Sequence, residues 1–233
     1  MTFRAVVFDV DGTLVDSERD GHRVAFNEAF AEAGLPDRWD VPTYVRLLEV
    51  SGGRQRLAAW FREQGRGEDE CEALAERLHE AKTRIMRSLA LLGRIPPRPG
   101  VLALLRDLTR HGVSLHIATT GSRAWVEPLL RTSFGPIWDV VVTGTEVTDL
   151  KPSPQVYLEV LRRTSLDQAD LVAVEDSAQG VAAAVAAGLA CVAVRNQDTR
   201  HHDLSAARLV GAGPDDPAVV DWLLAHTATR APR

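Results

Sequence analysis

Two carboxylates separated by one residue follow the first apolar run of the chain. They belong to Asp9 and Asp11, and the next residue, Gly12, lets the backbone turn. At the carboxyl end of a strand in an open α/β sheet, such carboxylates can hold a metal ion or attack an electrophile. A plain Asp-Gly turn without any chemistry is the alternative, and this segment by itself leaves both interpretations open.

Three later segments favour the chemical interpretation. Segment 119–122 reads Thr-Thr-Gly-Ser before a helical pattern, so its hydroxyls and amides can bind phosphate or act only as a helix cap. Lys151 stands just before a proline-rich helix start. Glu175 and Asp176 end another apolar run, and two adjacent carboxylates beside a helix start repel anions unless a cation lies between them. Their oxygen donors suit Mg²⁺.

Apolar runs that alternate with helical patterns must position these residues. Five runs have the length of buried strands in a parallel sheet: 5–8, 113–118, 140–142, 171–174 and 191–194. Their alternation with helices predicts βαβ units and a doubly wound, Rossmann-like α/β fold with a parallel sheet. The chain has 233 residues, 45% of them hydrophobic and 25% charged, which is enough to bury a full core.

Residues 17–94 contain helical patterns and no strand-like run. Two apolar stripes at helical spacing are 26, 29, 30 and 33, and 74, 78, 81 and 85, with shorter helices predicted over 45–50 and 57–61. A segment rich in proline, 95–100, marks the return to the strand pattern. We therefore predict an all-helical domain over 17–94, inserted into an α/β domain formed by 1–16 and 95–233.

Charge and cysteine content exclude several classes of protein. The net charge of −5 gives no basic footprint, so we expect no nucleic-acid partner. Two cysteines without metal-ligand spacing indicate a reducing compartment, and we expect a cytoplasmic protein. No targeting segment is visible, and the longest apolar stretch, 181–194, is too short to span a bilayer, so no membrane partner is expected.

Lysine is rare in this chain. Lys82 and Lys151 are its only lysines, and the other cations among the 27 lysines and arginines are all arginine. One explanation is that these two lysines have no special role and escaped replacement by arginine by chance. The other is that both positions need a compact ammonium, which a planar guanidinium cannot replace.

Four motifs in this order resemble those of the haloacid dehalogenase-like (HAD) superfamily of phosphatases. The motifs are Asp9-Val-Asp11-Gly-Thr, Thr119, Lys151-Pro and Glu175-Asp176-Ser, and the resemblance covers essentially the whole chain. The inserted helical domain resembles the small cap of that superfamily. Within it, the cap is similar to the CbbY type, which is related to β-phosphoglucomutase; the matching stretches are 18–23 with 26–27, the glycine pair 52–53, and 79–83.

The resemblance implies a Mg²⁺-dependent phosphohydrolase that forms an aspartyl-phosphate. Asp9 is then the nucleophile and Asp11 the general acid and base, while Thr119 and Lys151 neutralise the phosphoryl oxygens. The implied metal ligands are Asp9, Asp11 through its backbone carbonyl, Glu175 and Asp176. The implied substrate-binding residues are Thr120, Gly121, His22, Arg23, Gly53, Arg54, His79 and Lys82.

The implied substrate is a small phosphorylated sugar, and xylulose-1,5-bisphosphate is the candidate that the CbbY type suggests. Arg54 departs from the pattern, since that type has a lysine after the glycine pair. A phosphomutase of the β-phosphoglucomutase kind is the alternative, because the motifs are shared and only the attacking group differs. Asp11 argues against a dehalogenase, and the intact motifs argue against a non-catalytic binding module. We expect a monomer.

Overall fold

A computed structural model describes residues 2–227, and its centre is one sheet of six parallel strands. The strands are β1 (Ala5–Phe8), β2 (Ser114–Ala118), β3 (Val140–Val142), β4 (Leu171–Glu175), β5 (Ala190–Val194) and β6 (Leu209–Gly211). The predicted α/β class with a parallel sheet is confirmed. The sequence did not predict β6, because only two large apolar residues, Leu209 and Val210, stand between Arg208 and Gly211.

The strand order is β3-β2-β1-β4-β5-β6, which places β1 between β2 and β4. In the register, Phe8 lies beside Ile117 on one side and Val174 on the other. The residues that directly follow these three positions therefore lie at the same edge of the sheet. The order also reverses at β1, which is where open α/β sheets form a crevice for ligands.

Nine α-helices lie among the described residues. They are α1 (Arg23–Glu32), α2 (Val41–Leu47), α3 (Gly53–Glu63), α4 (Glu68–Leu91), α5 (Val101–Arg110), α6 (Arg123–Phe134), α7 (Gln155–Thr164), α8 (Ala178–Ala186) and α9 (Pro217–His226). A π-helical turn, Glu18–His22, precedes α1. The helix predicted over 45–50 instead begins at Val41, because the Asp40 side chain accepts a hydrogen bond from the Thr43 amide and caps it there.

The chain divides into two compact units. Within the described residues, the core unit comprises 2–15, 97–121 and 134–227, and the helical unit comprises 16–96 and 122–133. The helical unit thus contains α1 to α4 and nearly all of α6. The predicted boundaries, 1–16 with 95–233 and 17–94, stay a prediction, and position 1 and the last six positions lie outside the described residues.

The interior of the core unit is formed by the strands and by the inner faces of α7 and α8. Val156, Tyr157 and Val160 of α7 are buried against strand residues such as Ala118 and Ala173. Small side chains on α8 let it approach the sheet closely. Dense packing of this kind holds the strand ends in fixed positions, and those ends carry the predicted site residues.

The helical unit is built around aromatic side chains and around one face of α4. Seven residues form the buried face of α4: Cys71, Ala75, Leu78, Lys82, Ile85, Met86 and Ala90. Leu78 and Ile85 belong to the stripe that the sequence predicts, whereas Leu74 and Ala81 are only half-buried. Ala75 and Lys82 take the places of Leu74 and Ala81 on the buried face, and the charge of Lys82 kept its position out of the predicted apolar stripe.

No helix within residues 2–227 combines the length and the apolar composition needed to span a membrane.

Candidate active site

Lys151 lies at the centre of a buried polar cluster at the carboxyl edge of the sheet. Its Nζ donates to Oδ1 of Asp9 at 2.6 Å, to Oε1 of Glu175 at 2.5 Å and to the Ala118 carbonyl at 2.8 Å. Asp9 follows β1, Ala118 ends β2 and Glu175 ends β4. One ammonium therefore connects three neighbouring strand ends, and all three of its donor positions are occupied.

The electrostatics of this cluster are set by burial and by close charges. Burial raises the pKa of Asp9 well above its ordinary value, and Lys151 opposes this while Glu175 and Asp176 add to it. Burial alone would lower the pKa of Lys151, but the Asp9 and Glu175 carboxylates outweigh it and raise that pKa. Lys151 is therefore a permanent cation, and it favours the ionised form of Asp9 that a nucleophile needs.

The carboxylates around Lys151 fit a hard divalent cation. Asp9, Glu175 and Asp176 are buried, and each offers an oxygen within 4.8 Å of the others. Three carboxylates beside one ammonium leave an excess of two negative charges when all are ionised. Oxygen donors with that excess match Mg²⁺ in ligand type and in charge. Asp11, the fourth predicted ligand, lies in the same turn as Asp9 and is half-buried.

Two glycines make room for the acidic side chains. A Cβ at Gly180 in α8 would lie 1.9 Å from Oε2 of Glu175, and one at Gly12 would lie 2.3 Å from Oδ2 of Asp176. Gly12 also has a φ of +75°, which favours glycine. Side chains at either position would therefore displace the carboxylates from the cluster.

The predicted phosphate-binding turn follows β2. The Oγ1 of Thr119 accepts a hydrogen bond from the Gly121 amide at 3.0 Å, and Thr119 itself is buried. The Gly121 carbonyl in turn accepts from the Gly144 amide at 3.0 Å. A Cβ at Gly144 would lie 2.3 Å from the Thr120 carbonyl oxygen, so the segment after β3 packs directly on this turn. These contacts fix the turn, with Thr120 and Gly121 half-buried.

Five of the predicted substrate-binding residues lie close together in the helical unit. The pKa of His79 is lowered to about 4 by burial and then by the charges of Lys82, Arg54 and His22. His79 also packs on Gly53, whose Cβ would lie 3.1 Å from the ring. The Nζ of Lys82 lies 5.1 Å from the centre of the Phe26 ring. Lys82 and Arg54 thus place two cations near the neutral imidazole of His79.

The arginines of the helical unit make contacts of their own. Arg54 pairs with Glu72 at 2.5 Å, and Arg23 donates to the carbonyls of Arg19 and Trp39. Arg56 is a further arginine of this unit, in α3. It is buried and donates to two carbonyls and to the Tyr44 hydroxyl, which is a packing role within the unit.

Three residues beside the carboxylate cluster were not singled out from the sequence. The Tyr157 hydroxyl donates to Oε1 of Glu175 at 2.5 Å, but its position on the inner face of α7 predicts only packing. Arg98 donates to the carbonyls of Gly12 and Arg195. Asn196 donates to Asp176 at 2.7 Å. Asn196 alone carried a signal, because it is a polar residue soon after a strand end, as Asp9 and Thr119 are.

Comparison with known proteins places the chain in a defined group. The sequence profile of haloacid dehalogenase-like hydrolases matches residues 3–188. The CbbY protein of Cereibacter sphaeroides is 40% identical over 207 residues, which is 87% of this chain and 89% of that protein.

Two solved structures resemble the whole chain. One is CbbY from Rhodobacter sphaeroides in complex with phosphate, with a TM-score of 0.85 and 37% identity over 94% of this chain and 100% of that one. The other is a variant of CbbY from the same organism in complex with xylulose-1,5-bisphosphate. Its TM-score is 0.84, with 36% identity over 92% of this chain and 96% of that one.

Proposed function

The chain belongs to the haloacid dehalogenase-like hydrolase family and is a phosphatase; we propose that it removes phosphate from a small phosphorylated sugar through an aspartyl-phosphate, with Mg²⁺. The observation that carries this proposal is the contact of Lys151 with Asp9 and Glu175 in a buried cluster at the strand ends. A nucleophile, a fixed cation and a set of oxygen ligands meet there within hydrogen-bonding distance.

In the first step, a carboxylate oxygen of Asp9 attacks phosphorus in line with the bond to the sugar oxygen. That bond breaks as the new one forms, and Asp11 donates a proton to the departing sugar oxygen. Lys151 favours the ionised form of Asp9 that this attack needs. The products are the free sugar hydroxyl and a phosphoryl group bound to Asp9.

In the second step, Asp11 takes a proton from a water molecule. The resulting hydroxide oxygen attacks phosphorus, and the bond between phosphorus and the Asp9 oxygen breaks. Inorganic phosphate leaves, and Asp9 and protonated Asp11 are restored. Thr119, Lys151 and the amides of Thr120 and Gly121 neutralise the phosphoryl oxygens in both steps.

Asp9, Asp176 and the backbone carbonyl of Asp11 would hold Mg²⁺, with Glu175 as a ligand or as the group that orients one. When bound, Mg²⁺ would supply positive charge that offsets the carboxylates and the phosphoryl group. The support is the donor set itself: three buried carboxylates with an excess of two negative charges.

We propose a sugar bisphosphate as substrate, with xylulose-1,5-bisphosphate as the first candidate. The likeness to CbbY, which is known with that compound bound, supports it. A second observation is the cationic group of the helical unit, since a bisphosphate has a second anion that needs positive side chains. His22, Arg23, Gly53, Arg54, His79 and Lys82 are the proposed binding residues.

Phosphate release from a panel of phosphorylated sugars tests this function. With Mg²⁺ present, we expect xylulose-1,5-bisphosphate to give the highest kcat/KM of the panel. Asp9→Asn should abolish release, whereas Asp221→Asn, the same change at an exposed position of α9, should leave it unchanged. Failure of the wild type to release phosphate from any sugar phosphate would contradict the proposal.

The same assay distinguishes a phosphatase from the alternative, a phosphomutase. A phosphomutase returns the phosphoryl group of Asp9 to a sugar hydroxyl, so it converts β-glucose 1-phosphate to glucose 6-phosphate without net phosphate release. Rapid conversion of that kind, with little free phosphate, would show that the protein is a mutase and not a phosphatase.

We further propose that the protein is a cytoplasmic monomer, in line with its two free, buried cysteines. Size-exclusion chromatography with light scattering tests the oligomeric state.

A further inference from the structure

The segment that follows β5 packs on the acidic end of β4. We call residues 195–202 the β5 loop. Asn196 and Thr199 of this loop both reach Oδ2 of Asp176, at 2.7 Å and 3.5 Å. The His202 ring accepts a hydrogen bond from the Ala178 amide at the start of α8. The β5 loop is therefore in contact with the candidate metal ligand and with the helix behind it.

Asn196 uses both ends of its amide in this contact. Its Oδ1 accepts from the backbone amides of Asp198 at 2.8 Å and Thr199 at 2.9 Å, which fixes the turn of the loop. Its Nδ2 must then face the opposite way, towards Oδ2 of Asp176 at 2.7 Å and the Gly12 carbonyl at 3.2 Å. Because Oδ1 faces two donors and Nδ2 two acceptors, the orientation of the amide is determined.

This amide joins the turn after β1 to the carboxylate after β4. The Gly12 carbonyl also accepts from Arg98, whose guanidinium donates at 2.7 Å to the Arg195 carbonyl in the β5 loop. The absence of a side chain at Gly12 lets Asp176 and Asn196 approach its backbone. Asp176 is thus held against the same turn that carries Asp9 and Asp11.

When a carboxylate binds a metal through one of its oxygens, its orientation depends on the groups that hold its other oxygen. The bond from Asn196 to Oδ2 stops rotation of the Asp176 carboxylate about its Cβ–Cγ bond, and so sets the direction of Oδ1. Groups that orient metal ligands in this way typically change metal affinity by roughly 10- to 100-fold when they are removed.

We propose that Asn196 is a positioning residue that holds Asp176 in its metal-binding orientation and couples it to the turn after β1. The inference rests on the proposed function, because it takes the carboxylate cluster to be the Mg²⁺ site. Thr199 assists through its longer contact. The role needs the amide donor of Asn196, not only its acceptor.

Isothermal titration calorimetry tests this role. The metal-free protein is titrated with Mg²⁺ alone in phosphate-free buffer, and the dissociation constant of Mg²⁺ is measured. In Asn196→Ser the hydroxyl still accepts from the loop amides but is too short to reach Asp176. We expect its Mg²⁺ dissociation constant to rise roughly 10- to 100-fold. Its kcat at saturating Mg²⁺ should fall much less, because added metal refills the site.

Asn27→Ser is the matched control. Asn27, in the helical unit, also uses both ends of its amide, since it donates to the Trp39 carbonyl at 2.9 Å and accepts from the Trp39 amide at 2.8 Å. This variant should lose thermal stability with no change in Mg²⁺ affinity. Thr199→Val, which keeps the side-chain shape, should weaken Mg²⁺ binding less than Asn196→Ser, because a 3.5 Å contact is weak.

An unchanged Mg²⁺ dissociation constant in folded Asn196→Ser would overturn the proposal. If Asn196→Ser did not fold, Asn196→Thr, which also keeps a short hydroxyl acceptor and loses the amide donor, takes its place, and an unchanged constant there would overturn the proposal. Lack of Mg²⁺ binding by the wild type would overturn the metal requirement of the proposed function itself. Binding by the wild type without loss in the variants would overturn only the role of Asn196.

Discussion

The ammonium of Lys151 lies 2.6 Å from Oδ1 of Asp9, although 142 positions separate the two residues in the chain. Oε1 of Glu175 accepts a hydrogen bond from the same ammonium at 2.5 Å, so one buried cation connects the ends of β1 and β4. Removing one member of such a buried group leaves the others with uncompensated charge. Charge balance at Asp9 is therefore the property that substitutions in this site should disturb first.

Asp9→Asn keeps the size of the side chain and removes the charge that attacks phosphorus in the proposed mechanism. We expect kcat to fall by roughly three orders of magnitude or more, as for the loss of a covalent nucleophile. The change also relieves repulsion among buried carboxylates, so the variant should fold. Steady-state phosphate release and a melting curve measure the two effects. Substantial turnover in a preparation free of wild-type enzyme would contradict the assignment of Asp9.

Removal of Mg²⁺ should abolish activity, and its return should restore it. The buried carboxylates carry more negative charge than Lys151 neutralises, and a divalent cation offsets the excess. Ca²⁺ should inhibit, because it accepts looser and higher coordination than Mg²⁺ and shifts the ligated carboxylates. Phosphate release in EDTA, then with each metal added back, measures this. Full activity in the chelator would rule out the metal requirement.

Lys151→Arg should cripple hydrolysis of every substrate. The ammonium lies among three oxygens at 2.5–2.8 Å and is almost fully buried, whereas a guanidinium is a larger, planar fork. We expect kcat to fall for sugar phosphates and for p-nitrophenyl phosphate alike. Near-normal kcat for either substrate would show that any cation serves at this position.

Lys82→Arg should act only on substrates with a second phosphate. Lys82 is buried in the helical unit and contributes to the cationic group around His79. We expect kcat/KM to fall for a sugar bisphosphate and to stay near wild type for p-nitrophenyl phosphate, which has one phosphate. Equal effects on the two substrates, or none on either, would mean that Lys82 serves packing alone.

Gly144→Ala should misplace the turn that carries Thr119 to Gly121. The new methyl group would lie 2.3 Å from the Thr120 carbonyl oxygen, and a backbone atom cannot move aside alone. A displacement near 1 Å can cost about 100-fold in kcat, with about 1–3 kcal/mol of stability. Gly67→Ala is the control, because nothing lies within 4 Å of its Cβ and its φ of −66° suits alanine. Equal kcat in both variants would refute the prediction.

His116 should make the protein less stable in mild acid. It is buried in β2, and neither ring nitrogen has a hydrogen-bond partner within residues 2–227. Burial lowers its pKa from 6.5 to about 4, so between these pH values only the unfolded chain takes up the proton. The free energy of unfolding therefore falls as pH drops from about 6.5 to 4, by up to about 3 kcal/mol from this group.

His116→Leu should flatten that part of the stability curve. Urea unfolding at several pH values measures the free energy of unfolding for both proteins. His79 has a lowered pKa as well, so some dependence should remain in the variant. Identical pH dependence of the variant and the wild type between pH 4 and 6.5 would exclude His116 as the source.

Local sequence pattern was enough to predict the fold class and the elements that surround the polar residues. Apolar runs of strand length end just before Asp9 and Glu175, and strand-helix alternation leaves few arrangements other than a parallel sheet with helices on its faces. The motif order also sufficed to identify the family, which the profile match over residues 3–188 confirms. These properties follow from local pattern, because each apolar run or stripe shows which side chains must be buried.

Tertiary structure alone decided which distant polar groups touch. No periodicity predicts that Asn196 reaches Asp176, that Tyr157 donates to Glu175, or that Lys82 lies on the buried face of α4. A buried hydrogen bond stabilises by only about 1 kcal/mol net, so it leaves no mark on composition or spacing. Its partners are brought together by packing of the apolar elements around them, and that packing is a property of the whole chain rather than of any segment.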